Sequence, residues 1–229
     1  MGYILLEGGA EFGGQMKEPD RRALSLAGGF NVRLSIVPAA AAPDNNQQRA
    51  GQNGVRWFQN LGATNVTTLP LIDRASANNP AVVHALRGSR LIYLLGGFPR
   101  HLGDSLIGSA GWKAMLNAYQ AGAVIAGSSA GAMVLCEFYY EPTTGKALQG
   151  LGLIPKICIL PHHNTFGETW VSPLAKLLPG AVLVGIDEET GMLNDGPQGK
   201  WQVYGPGTVS LYKGNEKVCY RSGQPFGLT

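Results

Sequence analysis

The segment Val124–Met133 reads VIAGSSAGAM, a short apolar run followed by a Gly-x-Ser-x-Gly motif centred on Ser129. In a nucleophile elbow, a strand turns sharply into a helix so that a serine hydroxyl stands clear of a parallel sheet. Strand and helix cross closely at such a turn, and the small residues Gly127 and Gly131 suit that crossing. The segment therefore predicts an α/β protein with Ser129 as nucleophile and Ser128 as a bystander. The alternative is an ordinary glycine-rich turn, which α/β proteins also contain.

Apolar runs of similar length recur along the chain, and most of them end at glycine or a small polar residue. They are Tyr3–Leu6, Val32–Val37, Leu91–Leu95, Val124–Ala126 and Ala181–Val184. Continuous apolar runs are typical of strands that are buried on both faces of a parallel sheet. Stretches with helical spacing of apolar residues separate them, and this alternation predicts a doubly wound, mostly parallel sheet flanked by helices.

The helical stretches differ in strength. The clearest cover residues 112–119 and 170–178, and weaker ones cover 44–61 and 80–87. The pattern Thr165-x-x-Glu168 predicts a capping box that opens the helix at 170–178.

The C-terminal part has a different pattern from about residue 191 onward. The short alternating runs Thr208–Tyr212 and Lys217–Tyr220 predict an antiparallel β-hairpin at the edge of the sheet. Since the chain contains no repeat and no linker, we expect a single domain over residues 1–229.

Composition excludes several classes of protein. Hydrophobic residues make up 45% and charged residues 14%, which excludes a disordered chain. A net charge of +3 without a basic run argues against a nucleic-acid partner.

No apolar stretch approaches the length of a membrane span, and the apolar N-terminal run is too short for a signal peptide. Three widely spaced cysteines without a CxxC pair argue against a disulfide framework or structural zinc, so we expect a cytoplasmic protein.

A serine nucleophile needs a base, which is usually histidine, and the chain has four histidines. His84 lies in a weak helical pattern and is expected to be structural, and His101 follows the Gly96-Gly97 turn. His162 and His163 follow an apolar run and would lie at the carboxyl end of a strand. Neighbouring strand residues point to opposite faces, so only one of them can face Ser129, and the same geometry argues against a shared metal ion.

Other groups could complete the site. Glu137 and Glu141 are candidates for the carboxylate that orients the imidazole. The acidic cluster Asp187-Glu188-Glu189 follows another strand and could line the pocket. The backbone N–H groups of Ala130 and Gly97 could bind an oxyanion, although the Gly96-Gly97 pair could also be a plain turn.

Five motifs in order resemble the peptidase E/cyanophycinase family of serine peptidases, over about residues 1–195. They are Gly8-Gly9-Ala10-Glu11, Gly96-Gly97, Gly127–Ala132, Gly152–Pro155 leading to Pro161-His162-His163, and Gly185–Thr190. The resemblance implies a class I glutamine amidotransferase-like, flavodoxin-like fold in which serine replaces the usual cysteine. It is compatible with a homodimer.

The resemblance also implies roles for individual residues. It makes Ser129 the nucleophile and favours His162 as base, because Pro161 precedes that histidine as in the family pattern. It favours Glu141 as the acid, since the family's acid lies between nucleophile and base. Asn164 occupies a position where amidotransferase relatives have a glutamate and could orient the ring.

The chain departs from the family in the residues that would recognise substrate. Cyanophycinases carry an arginine-rich stretch after the catalytic histidine, and an aspartyl dipeptidase is expected to hold the substrate carboxylate with a basic residue. This chain has no arginine between Arg100 and Arg221, so neither substrate is favoured. The candidate substrate-binding residues lie in or beside three motifs, the Gly96-Gly97 turn, the His162-His163 pair and the acidic cluster at 187–189. They are Gly96, Phe98, Arg100, His163, Asn164 and Glu188.

We therefore predict a serine hydrolase that cleaves a peptide or amide bond in a small substrate through a Ser-His-Glu triad and an acyl-enzyme, with no cofactor and no metal. An esterase or acyl transferase with the same triad is the first alternative. A non-catalytic binding module on the same fold is the second. A glutamine amidotransferase is disfavoured because its elbow normally carries cysteine.

Overall fold

The structure, a computed structural model, describes residues 1–214 and 216–228. Its strands are β1 (Tyr3–Glu7), β2 (Leu34–Val37), β3 (Val66–Thr68), β4 (Leu91–Leu94), β5 (Val124–Ser128), β6 (Cys136–Glu141), β7 (Lys146–Gln149), β8 (Ile154–Leu160), β9 (Val182–Ile186), β10 (Gly191–Leu193), β11 (Gln202–Tyr204), β12 (Val209–Lys213) and β13 (Glu216–Tyr220). Its α-helices are α1 (Lys17–Ala27), α2 (Gln47–Asn60), α3 (Arg74–Ala77), α4 (Pro80–Arg87), α5 (Pro99–Leu106), α6 (Ala110–Gln120), α7 (Ala130–Leu135) and α8 (Val171–Leu177). Short 3-10 turns cover Gly14–Met16, Ala39–Ala41, Gly167–Trp170 and Pro197–Gly199.

The first sheet has the strand order β11-β10-β1-β5-β4-β2-β3. The strands β1 to β5 are mutually parallel, and β10 and β11 extend the sheet in antiparallel fashion. The register pairs Glu7 of β1 with Ser128 of β5, so the carboxyl ends of these two strands meet at one edge. Ligands of open parallel sheets bind beyond such ends, which places the elbow where a site is expected.

The second sheet has the order β13-β12-β9-β8-β6-β7. Its central strands β6, β8 and β9 are parallel, and the hairpin β12–β13 pairs antiparallel to β9 at the edge. The predicted α/β class and the C-terminal hairpin are confirmed. The strands form two sheets and not the single sheet expected: β10 occupies the free edge of β1, and β6 to β9 form the second sheet together with the hairpin β12–β13.

The helices that were expected from apolar spacing are present, and α4 covers 80–87 as expected. The predicted capping box is wrong, since the 3-10 turn Gly167–Trp170 precedes α8 and has no side-chain cap. The hydroxyl of Thr165 donates instead to the carbonyl of His162, at 2.9 Å. That carbonyl also accepts three backbone N–H groups, so the chain closes a tight turn on His162 before any helix begins.

Hydrophobic clusters cover both faces of the first sheet. Ile4 and Leu6 belong to one cluster and Leu5 to the other, as the alternation of side chains along a strand requires. The first cluster continues into the second sheet, where it includes Ile157 and Ile159. The single-domain assignment stays a prediction, and this shared core favours it. In the described ranges, every helix is too short or too polar to cross a bilayer.

Candidate active site

Ser129 lies at the turn from β5 into α7, with φ +48° and ψ −112°. A residue with a side chain adopts positive φ only when its surroundings impose it, so this turn is strained. The Ser129 N–H donates to the carbonyl of Glu7, at 3.0 Å, which ties the turn to β1. A β-carbon at Gly127 would lie 2.5 Å from Gly131, and one at Gly131 would lie 2.3 Å from the carbonyl oxygen of Leu94. The small residues of the motif are therefore required by the crossing of strand and helix.

His162 faces this serine from the end of β8. Its Nε2 lies 3.0 Å from Ser129 Oγ. Its backbone has φ +49°, and its N–H donates to the carbonyl of Gly8 at 2.6 Å. The ring stacks on Phe166, with centroids 5.0 Å apart and planes inclined by 23°. Backbone and side-chain contacts thus hold the imidazole in one orientation.

The carboxylate on the other side of the ring belongs to Glu188. Its Oε1 lies 2.8 Å from His162 Nδ1, and its backbone N–H donates to Asn164 Oδ1 at 2.9 Å. With the ring proton on Nδ1, the imidazole donates to Glu188 and leaves Nε2 free to accept the serine proton. Asn164 thus holds the backbone of Glu188, and the side-chain partners of the imidazole nitrogens are Ser129 and Glu188.

Glu141 and Glu137, the sequence-based candidates for this position, are engaged elsewhere. The Glu141 carboxylate accepts hydrogen bonds from the N–H and hydroxyl of Thr143, at 3.2 and 2.7 Å. Glu137 Oε2 accepts from the N–H of Lys156, at 2.7 Å. The expectation that Glu141 contacts the base is thus corrected. The missed signal is strand pairing: β8 and β9 are parallel neighbours, so the residues after them, His162 and Glu188, end up side by side.

His163 does not contact the serine, as expected, although the chain is not extended here, since β8 ends at Leu160 and His162 has φ +49°. It is buried, with Nδ1 at 3.3 Å from Asp187 Oδ1 and Nε2 at 2.8 Å from the Tyr212 hydroxyl. His101 contacts the carbonyl of Ile72 at 2.7 Å. Of these three histidines, His162 alone contacts Ser129.

The turn after β4 presents one N–H group toward this site. The N–H of Gly96 donates to Glu11 Oε1 at 3.1 Å, and the N–H of Phe98 donates to the carbonyl of Ala40 at 2.8 Å. The N–H of Gly97, between them, has no acceptor among the described residues. The Ala130 N–H is the first of α7, where helix geometry leaves donors free.

Glu11 is a residue of this site that sequence reasoning did not single out, although it closes the Gly8–Glu11 motif. One oxygen accepts from Gly96, and the other accepts from the Ser128 hydroxyl at 2.6 Å. It therefore joins the turn after β4 to the elbow, and Ser128 is part of this support.

A buried pair of carboxyls lies behind the elbow. Glu7 and Asp20 are fully buried, and they accept hydrogen bonds from the Tyr93 hydroxyl and from Trp57 Nε1, the latter at 2.8 Å. Burial raises the pKa of Asp20 to about 7. It also raises the pKa of Glu7, and the nearby charge of Asp20 adds to that effect. Near neutral pH the pair therefore retains a proton inside the fold.

A cleft of about 350 Å³ opens at the serine, and we call it the active-site cleft. Its lining consists of Gly97, Pro99, Ser129, Met133, Pro142, Pro161, His162, Phe166 and Trp170. All six expected substrate-binding residues lie outside this lining, although each is close in sequence to a residue that belongs to it or contacts one: Gly96, Phe98, Arg100, His163, Asn164 and Glu188. The guanidinium of Arg100 is 62% exposed and lies 3.7 Å from the Asp104 carboxylate.

Comparison with known proteins places this geometry in a family. The sequence profile of peptidase family S51 matches residues 4–200. A cyanophycinase of Nostoc sp. (strain PCC 7120 / SAG 25.82 / UTEX 2576) is 26% identical over 219 residues, covering 91% of this chain and 72% of the relative. A cyanophycinase of Geminocystis herdmanii (strain PCC 6308) is 26% identical over 228 residues, covering 92% and 80%.

A solved structure is similar over almost its whole length. The crystal structure of a peptidase from an acI-B1 Actinobacterium superposes with a TM-score of 0.87 at 29% identity, covering 99% of this chain and 96% of that one. The resemblance to the peptidase E/cyanophycinase family is thereby confirmed. Because the family profile matches most of the 229 residues, the chain belongs to peptidase family S51 and is a serine peptidase-type hydrolase.

Proposed function

We propose that this hydrolase cleaves a peptide or amide bond in a small peptide through an acyl-enzyme formed on Ser129. The observation that carries the proposal is the row of contacts from Ser129 Oγ to His162 Nε2, at 3.0 Å, and from His162 Nδ1 to Glu188 Oε1, at 2.8 Å. In such an arrangement the histidine activates the serine, and the carboxylate then stabilises the charged imidazole.

In the first half of the reaction, His162 Nε2 takes the hydroxyl proton while Ser129 Oγ adds to the substrate carbonyl carbon. The carbonyl oxygen becomes an oxyanion, and we assign the N–H groups of Gly97 and Ala130 as the donors that bind it. When the intermediate collapses, the C–N bond breaks and the amine leaves with the proton from His162. Ser129 then carries the acyl group as an ester.

In the second half, water replaces the amine. His162 takes a proton from the water, whose oxygen adds to the ester carbonyl, and collapse returns the proton to Ser129 Oγ. The carboxylate of Glu188 stabilises the imidazolium in both halves. Glu188 thus takes the role that the sequence favours for Glu141. A homodimer and a cytoplasmic location stay predictions from the sequence.

An active-site probe tests the proposal directly. We expect a fluorophosphonate to add once to the intact protein and peptide mapping to place it on Ser129. The Ser129→Ala variant loses both labelling and peptide hydrolysis, and the control variant Ser222→Ala, at an exposed serine outside the cleft, is still labelled. Failure to label the folded parent, or hydrolysis by Ser129→Ala at the parental rate, contradicts the proposal.

Amide and ester substrates with the same acyl group separate the proposed reaction from its nearest alternative. We expect turnover of unactivated peptide bonds. Turnover of esters alone would replace the peptidase assignment with an esterase that uses the same residues.

A further inference from the structure

We propose that the active-site cleft binds a large uncharged apolar side chain of the substrate next to the scissile bond, and excludes acidic and basic ones. This inference rests on the proposed function, because it assumes that Ser129 attacks the bond. It assigns the specificity to Met133, Phe166 and Trp170, which line the cleft beside the serine.

The walls of the cleft are apolar. Met133 comes from α7 below the serine, and Phe166 and Trp170 come from the chain that follows His162. The Phe166 and Trp170 rings lie 5.4 Å apart, and Trp170 continues onto Tyr140 at 5.2 Å. An aromatic surface therefore extends from the imidazole outward, and aromatic surface of this kind favours aromatic or aliphatic ligands.

Part of this surface is open to solvent. Phe166 is 47% exposed although it stacks on the catalytic imidazole. A large exposed apolar side chain beside a reactive group gains by being covered when a ligand binds. The volume of about 350 Å³ is at the lower end for small-molecule sites, which suits one bulky side chain and the adjoining backbone.

The charges around the cleft disfavour an ionised side chain. In residues 1–214 and 216–228, no Asp, Glu, Lys or Arg belongs to the lining. The carboxylates that neighbour lining residues are already engaged, Glu188 with His162, Glu141 with Thr143 and Glu168 with Lys217. The guanidinium of Arg100 is directed to Asp104 and mostly exposed.

A charged substrate group would therefore lose its hydration without gaining a partner. Burial of an unpaired charge is strongly unfavourable, while burial of an apolar side chain is favourable. Both effects point in the same direction, toward a neutral apolar residue.

The test is a set of equal-length peptides in which the residue on either side of the scissile bond is Phe, Leu, Ala, Asp or Arg. We expect kcat/KM for Phe or Leu, on one of the two sides, to exceed that for Ala by about 10- to 100-fold, as a filled apolar pocket commonly gives. We expect Asp and Arg to fall below Ala. Equal rates for all residues, or a preference for Asp or Arg on both sides, overturns the inference.

Variants locate the preference in the cleft. Trp170→Ala should reduce the Phe-to-Ala ratio of kcat/KM by about tenfold. Phe30→Ala removes an aromatic side chain that is similarly exposed (49%) but lies outside this cleft, and it should keep the parental ratio. An unchanged ratio in folded Trp170→Ala contradicts the assignment of specificity to this wall.

A second readout keeps failure of the inference separate from failure of the proposed function. Diphenyl phosphonate esters that carry a Phe-, Asp- or Lys-type side chain react with an active serine without any peptide turnover. Labelling of Ser129 fastest by the Phe-type ester supports the inference. Labelling that favours a charged ester overturns it while Ser129 remains the nucleophile, and absence of labelling by these esters and by the fluorophosphonate overturns both.

Discussion

The imidazole of His162 lies directly against the α-carbon of Gly9, where a β-carbon would come within 2.2 Å of Cε1. Gly9 follows β1 of the first sheet and His162 follows β8 of the second, so the contact joins the two sheets at the site. Gly9 also has φ +118°, which favours glycine for a second reason. The glycine pair after β1 thereby forms the surface on which the proposed base rests.

Gly9→Ala is expected to displace the imidazole from Ser129. A shift of about 1 Å at a catalytic group can cost about 100-fold, so we expect kcat/KM and the rate of fluorophosphonate labelling to fall by about that factor. The matched control is Gly29→Ala, which has a similar backbone (φ +100°) but open space within 4 Å of its β-carbon. If both variants lose activity equally, the effect comes from backbone strain and not from the ring.

Glu188→Gln is expected to lower kcat by about 10³- to 10⁴-fold, because an amide neither stabilises the imidazolium nor fixes the ring tautomer. Glu141→Gln should keep kcat within a few-fold, since the Glu141 carboxylate contacts Thr143. Steady-state kinetics on one peptide substrate, with folding checked by circular dichroism, distinguishes the two. Loss of activity in Glu141→Gln alone would restore the assignment that the sequence favours.

The buried carboxyl Asp20 makes stability depend on pH. Its pKa is raised from 3.8 to about 7 by burial, so the folded chain binds this proton more tightly than the unfolded chain does. The resulting stabilisation is complete below pH 3.8 and is lost as the pH rises through about 7. Asp20→Asn keeps an acceptor for Trp57 and cannot ionise.

We therefore compare the free energy of unfolding of Asp20→Asn with that of the parent. We expect the difference, variant minus parent, to be larger at pH 8 than at pH 5 by about 1–3 kcal/mol, from the size of such shifts. Urea denaturation at several pH values measures this difference. Asp44→Asn, at an exposed carboxylate, is the control and should follow the parent at every pH. A difference between Asp20→Asn and the parent that does not change with pH would contradict the interpretation.

The three free thiols are expected to differ in reactivity. Burial raises the pKa of Cys158 to about 12 and also raises the pKa of Cys136, while Cys219 is exposed on β13. Because the thiolate is the reactive form, we expect a disulfide reagent such as DTNB to titrate one thiol in the native protein and three after unfolding. Cys219→Ser should abolish the native reaction, and rapid reaction of a second thiol would show that the core opens.

The local features of this protein could be predicted from short segments of its sequence. The motif around Ser129 requires small residues because Gly127 and Gly131 lie against backbone atoms, and that requirement acts within a few residues. Continuous apolar runs likewise predict buried strands, and the alternating runs near the C-terminus predict the hairpin. The sequence leaves the base open among several histidines, and the family resemblance favours His162, whose Nε2 lies 3.0 Å from Ser129 Oγ.

The capping pattern shows where local rules stop. Thr165 and Glu168 have the spacing of a capping box, but the turn on the carbonyl of His162 uses the Thr165 hydroxyl instead. The Thr165 hydroxyl is therefore already used in this turn, and it does not cap the helix that follows.

Only the tertiary structure selected the carboxylate that contacts the base and divided the strands between two sheets. His162 and Glu188 are 26 residues apart and meet because Leu160 of β8 pairs with Gly185 of β9. In the first sheet, β10 pairs with the edge of β1, a contact between residues almost 190 positions apart in the chain. Steric requirements at a turn act over a few neighbouring residues, so they can be predicted from the sequence. The choice of strand neighbours depends instead on which distant segments pair with a given sheet edge, so only the tertiary structure determines it.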